Sequence, residues 1–174
     1  MPTMNAAGIA LTKEFEQCFL FTYDDGAGVY PPVPFQPKNG PPIGTLTIGW
    51  GHTSFPLPAT CTQEQADTWL LDDLQSAETE VSELVQIALT PNEFSALVDW
   101  EFNTGGLAGS PGLELINRKQ FEEAWDQHFC LWLEPDPVGL ARRRAAEKAL
   151  FFTPTDPADA AGPNPTGGAE EIPA

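Results

Sequence analysis

A chain of 174 residues, 41% of them hydrophobic, can bury one core, and its formal charge of −17 argues against nucleic acid or an anionic membrane surface as partner. No apolar run reaches the roughly 18 residues of a membrane span, and Met1 to Ala7 lacks the basic-then-apolar order of a signal peptide. If the protein works outside a cytoplasm, either another route releases it or a signal has been removed.

In chain order, residues 1–7 read as loose. From Gly8 to about Leu20 the apolar residues Leu11, Phe15, Cys18 and Phe19 recur at helical spacing, with Glu16 beside the stripe near the C-terminal end. A carboxyl among phenylalanines at the negative end of a helix suits a general acid, but spacing alone also fits an ordinary surface glutamate. Phe21-Thr22-Tyr23 is β-prone, and Asp24-Asp25-Gly26-Ala27-Gly28 contains a turn. Tyr30 to Ile43 carries six prolines and Asn39-Gly40, which exclude a helix or a central strand. Gly44 to Gly49 resumes as a strand, giving a small hairpin or three-stranded sheet with a long proline-rich excursion. Residues 54–61 form a connector.

From Thr62 the pattern is helical. Thr62 with Gln65 forms a capping box, and Ala66, Trp69, Leu70, Leu74, Ala77, Val81, Leu84 and Val85 make one apolar face of a long helix. Thr90-Pro91-Asn92-Glu93 caps another, buried through Phe94, Leu97, Val98 and Phe102 and stopped at Gly105-Gly106. Residues 107–117 hold a short helix or turns. Gln120 to Trp132 reads as one amphipathic helix, and Val138 to Phe152 as the last, with the only basic cluster, Arg142-Arg143-Arg144. Residues 154–174, rich in Pro, Gly, Ala and acid, are expected to be disordered. Cys18, Cys61 and Cys130 cannot all pair, and with His52 and His128 they lack metal-ligand spacing, so free, mostly buried thiols with no metal or cofactor are expected.

Phe15-Glu16, Tyr23, Asp25-x-x-Gly28 and Thr47-Ile-Gly-Trp-Gly-His-Thr53 resemble the active-site signature of the phage-type lysozymes (endolysins), glycoside hydrolase family 24. Leu89 to Val98 with Phe102-Asn-Thr-Gly resembles the family's central helix, and Gly139 to Glu147 its closing helix, so the likeness runs over residues 8–152. It implies an α+β, mostly helical, two-lobed fold with a small N-terminal sheet and a long connecting helix, in one domain over residues 1–153. The implied reaction is hydrolysis of the β-1,4 bond between N-acetylmuramic acid and N-acetylglucosamine in peptidoglycan, by a monomer acting on the bacterial wall. Carried over position by position, Glu16 is the general acid, Asp25 holds or activates the attacking water, and Thr47 helps to place it. Thr53 and Phe102 match positions that touch the glycan. Asp24 competes with Asp25, and His52 reads as a structural hydrogen-bonding residue. The alternative is an inactive wall-binding or regulatory protein on the same fold.

Two departures from the family stand out. The family's compact signature has a short turn where this chain has Val29 to Leu46, an insertion expected to pack beside the cleft and to contribute to glycan binding. The strong negative charge departs from the basic character of many lysozymes. Attraction to an anionic wall must then come from the cleft, from low pH or from another module.

Overall fold

The computed structural model describes residues 2–54 and 56–155. Among the described residues the six helices are α1 (Ala6–Phe15), α2 (Gln63–Leu84), α3 (Pro91–Thr104), α4 (Pro111–Asn117), α5 (Phe121–Gln127) and α6 (Pro137–Phe152). Two strands, β1 (Phe19–Asp24) and β2 (Leu46–Gly49), pair antiparallel with Tyr23 opposite Thr47 and Asp24 opposite Leu46. Short 3-10 turns lie at Asp25–Ala27, Pro37–Asn39, Leu107–Gly109 and Phe129–Leu131. The protein is thus mostly helical with a small N-terminal sheet, and of the two sheet readings the two-stranded one holds. The connector only touches β1, through a single bridge from Thr60 to Phe21.

α3 is the centre. From Phe94 to Glu101 every residue is buried, whichever way its side chain points, so the helix is enclosed on all sides. Leu97, Val98 and Trp100 meet Leu70, Leu74 and Val81 of α2, and Ile116, Trp125, Phe129 and Phe151 complete the core. Each such side chain contributes about 1.5–3 kcal/mol by leaving water. The capping boxes at Thr62 and Thr90 both form, with Pro91 at the start of α3 and Gly105 left-handed at its end. α2 bridges the molecule. Its first turns pack on β2, where Gly49 lies against Ala66, and its later turns join the helical core.

Four expectations need correction. The N-terminal residues are not loose: Met4 is buried, its N–H donates to Glu78, and Asn5 caps α1 while binding Ser95 and Asn92 of α3. α1 ends at Phe15 and not near Leu20, because Phe19 to Asp24 gain more as a strand against β2. The buried face of α1 is then Gly8 and Thr12, with Leu11 and Phe15 only half covered. Gln120 to Trp132 is not one helix, since His128 leaves helical dihedrals and a 3-10 turn follows. The cysteines are free, as expected, but half-buried instead of mostly buried. The expected tail falls almost entirely on residues 156–174, outside those described.

α1 approaches α3 closely at Gly8, where an added Cβ would lie 2.6 Å from both Met4 Cγ and Ser95 Cβ. Gly8→Ala improves helix propensity but overpacks this contact, and we expect a net loss of about 1–3 kcal/mol. Urea denaturation followed by circular dichroism measures it; a variant more stable than wild type would mean that α1 can shift at no cost.

Candidate active site

The end of α1 and the turn after β1 face one cleft of about 290 Å³, lined by Glu16, Gln17, Phe19, Tyr23, Asp24, Asp25, Val29, Tyr30, Pro32 and Gly51. Glu16 is the C-cap of α1 and already has extended dihedrals, which turn its side chain out of the helix and into the cleft. Its carboxyl is not isolated among phenylalanines as the sequence suggested. Arg143 Nη1 of α6 donates to Glu16 Oε1 at 2.6 Å.

Arg143 and Arg144 are almost fully buried, so the expected basic cluster is not a surface feature; only Arg142 is exposed. Arg143 grips Asp99 of α3 through Nε (3.1 Å) and Nη2 (3.0 Å), and Thr12 of α1 donates to the same carboxylate at 2.7 Å. Arg144 pairs with Glu147 and donates to Asn103. The carboxylates of Asp99 and Glu16 hold Arg143 firmly charged against the cost of its burial. Burial, followed by the nearby Asp99, pushes Glu147 well above the usual carboxylate range. Two guanidiniums thus face three carboxyls, Glu16, Asp99 and Glu147.

The two aspartates differ in their surroundings. Asp24 accepts from three backbone N–H groups, Ile43 (2.6 Å), Gly44 (2.8 Å) and Gly26 (3.1 Å). Its oxygens are occupied in closing the stem of the proline-rich excursion. Asp25 accepts only from the N–H of Thr45, and its own N–H donates to Thr45 O at 3.1 Å. Gly44 is required for this approach, because a Cβ there would stand 2.3 Å from Asp25 Oδ1. Thr47 lies on β2 with its hydroxyl buried and donating to Thr45 O at 3.3 Å. It supports the peptide that holds Asp25 and does not line the cleft. Thr53 is exposed, Phe102 is half-buried against the core, and neither lines this cleft.

His52 is held between elements. Its Nδ1 bonds Asp73 at 2.9 Å and its ring stacks on Trp69 at 4.9 Å. Among the described residues, no three His, Cys, Asp or Glu side chains are grouped to hold a metal ion. Sequence reasoning missed Asp99, Thr12, Gln17 and Tyr30. The signal available for the first two was a polar residue inside each apolar helical pattern.

The family model described as phage lysozyme matches residues 13–147, which include Glu16, Asp24, Asp25 and Arg143. This chain belongs to the phage lysozyme family. Within that family it is 38% identical over 163 residues to the endolysin of Salmonella phage P22, covering 88% of this chain and all of that protein. It is 29% identical over 157 residues to the endolysin of Bacillus phage B103, covering 86% of this chain and 54% of that one. A structure of a P22 lysozyme variant superposes with a TM-score of 0.70 at 31% identity, over 88% of this chain and all of that one. The muramidase domain of SpmX from Asticaccaulis excentricus gives 0.67 at 31% identity, with the same coverage. A lysozyme-like fold and glycoside hydrolase activity follow from membership.

The Asp24 clamp has its own pH dependence. The backbone N–H groups of Ile43, Gly44 and Gly26 lower its pKa against a smaller opposing effect of burial. A depressed carboxyl stabilises the fold fully above its unfolded value of about 3.9, and that contribution is lost as pH falls through the lower folded value. Limited proteolysis of the excursion should therefore be slow and constant down to about pH 4 and speed up below it. Asp24→Asn should speed it at about pH 4 and above, where wild type is clamped; unchanged cleavage there in that variant would show that Asp24 does not close the stem.

Proposed function

We infer that this chain is a muramidase that hydrolyses the β-1,4 bond between N-acetylmuramic acid and N-acetylglucosamine in bacterial peptidoglycan. The observation that carries this reading is the pair Glu16 and Asp25, on separate elements but lining one cleft. Glycosidic cleavage needs one acid to protonate the leaving oxygen and one carboxylate to direct water. An inactive wall-binding protein would not need this arrangement. The cleft is complete within one chain, which supports action as a monomer.

In the proposed reaction Glu16 donates its proton to the glycosidic oxygen as the bond breaks. When the proton leaves Glu16, the guanidinium of Arg143 stands 2.6 Å away to face the new negative charge. Asp25 orients a water molecule on the opposite face of the sugar and accepts its proton. Thr47 acts through Thr45, keeping the N–H that holds Asp25 in place. Water entering opposite the leaving group gives inversion, for which the carboxyl groups stand roughly 6.5–9.5 Å apart. We place Thr53 and Phe102 further along the glycan path, outside the catalytic cleft.

Glu16→Gln should abolish clearing of purified cell walls with the fold intact, because an amide cannot supply the proton. Asp25→Asn should cost on the order of a hundredfold or more, and Asp24→Asn much less. A turbidity assay measures all three, and a larger loss for Asp24→Asn would exchange the two roles. NMR of the first product should show the α-anomer at the new reducing end; a β-anomer would mean retention.

The charge sets a second expectation. With Arg143 and Arg144 buried, the helix α6 cluster offers little positive surface to offset −17. Protein and wall then repel over about 10 Å at 0.1 M salt. Activity should peak at acid pH, roughly 4 to 6, where the negative charge on protein and wall falls. At neutral pH, added salt should speed lysis. Fastest lysis above pH 7 at low salt would overturn this.

A further inference from the structure

The proline-rich excursion ends at a closed stem beside the catalytic turn, and its first residues form one wall of the cleft. Val29, Tyr30 and Pro32 line the same cleft as Glu16 and Asp25. Tyr30 is 74% exposed, an unusual state for so large an aromatic side chain, yet it is not free to swing. Its hydroxyl donates to Gln17 Oε1 at 2.5 Å, and Gln17 directly follows Glu16 in the chain. The excursion is further fixed where Phe35 N–H donates to Thr22 O at 2.8 Å and where Asp24 holds Ile43 and Gly44. An exposed ring held by its hydroxyl, on a segment anchored at Phe35 and at the stem, is a preformed platform, and a ligand meeting it incurs little ordering cost.

The charge of this wall differs from that of the whole molecule. From Val29 to Leu46 there is no Asp or Glu, and Lys38 is the only charged residue, whereas the chain as a whole carries 25 acids against 8 bases. Near the cleft this is the stretch that does not repel an anionic glycan. A neutral wall of proline, valine and tyrosine suits the apolar C–H face of a pyranose ring, with the hydroxyl and amide groups of the sugar left to water.

Building on the muramidase reading, we propose that Tyr30, held by Gln17 and flanked by Val29 and Pro32, forms an added sugar-binding subsite on which a ring of the glycan strand stacks beyond the bond being cut. The subsite makes the enzyme favour long strands. Binding energy gained at a distant ring supports orientation at the reacting bond, so losing the platform lowers kcat as well as raising KM. Val29 and Pro32 set the edge of the platform, and Gln17 fixes the angle of the ring.

The test uses the full chain with two soluble substrates, long uncrosslinked glycan strands and short oligomers too small to reach Tyr30 from the cleavage point. Tyr30→Ala should lower kcat/KM on long strands by about tenfold, the upper end for one aromatic contact. Its loss on short oligomers should be several times smaller. Tyr30→Phe keeps the ring and should recover most of the activity on long strands. Because Tyr30 is exposed, both variants should melt within a few degrees of wild type, and that is checked first. Equal losses on long and short substrates would overturn the subsite, showing that Tyr30 acts through Gln17 on the position of Glu16. Full activity of Tyr30→Ala on long strands would overturn it too. Wild-type protein that cuts neither substrate would instead refute the muramidase reading on which the subsite rests.

Discussion

The buried pairing of Arg143 with Asp99 is the interaction on which the rest of the structure depends. It joins α6 to α3, and through Thr12 and Glu16 it also fixes α1. Removing one partner of such a pair leaves a buried charge unmatched, at a cost of about 3–5 kcal/mol. That is a large share of the 5–15 kcal/mol by which a domain is stable. The same guanidinium that holds three helices together also faces the cleft carboxyl. In the proposed reaction, stability and catalysis therefore draw on one side chain, and the cleft cannot be altered at α6 without loosening the helical lobe.

A second constraint works from the other side of the cleft. β1 and β2 pair with Tyr23 opposite Thr47, which brings the turn after β1 against the start of β2. Asp24 and Asp25 then divide the labour: one binds the ends of the excursion, the other is offered to the cleft. Two adjacent acids of identical type receive opposite tasks because their backbone neighbours differ. This is environment, and not residue type, setting role.

The local features were readable from sequence. Both capping boxes, Pro91 at a helix start and Gly105 at a helix end need only residues within a few positions of one another. What escaped was non-local. Asn5 finds Ser95 across 90 residues, and Asp99 finds Arg143 across 44, so no pattern along the chain announces either. Phe19 fits a helical stripe by spacing, and only the presence of β2 as a pairing partner decides for a strand. That the basic cluster would be buried was not readable, because Asp99 and Glu16, which meet Arg143, lie far off in the chain, although Glu147, three and four positions on, was a hint that the cluster is compensated. At the site, the likeness to the family located Glu16 and Asp25 in the chain, but the placement of Thr47 behind Asp25 depends on the register of the sheet.

The closed stem has a consequence for how this enzyme could diversify. Asp24, Gly26 and Gly44 bring the two ends of the excursion together and satisfy the chain there, so what lies between them is insulated from the catalytic turn. The entropic cost of a loop grows only slowly with its length, by about 0.6 kcal/mol per doubling. A segment entered and left through a fixed gate can be lengthened, shortened or rewritten while Asp25 keeps its geometry. On the proposed reading the stem behaves as a socket, with substrate preference in a replaceable part and the chemistry in a permanent one.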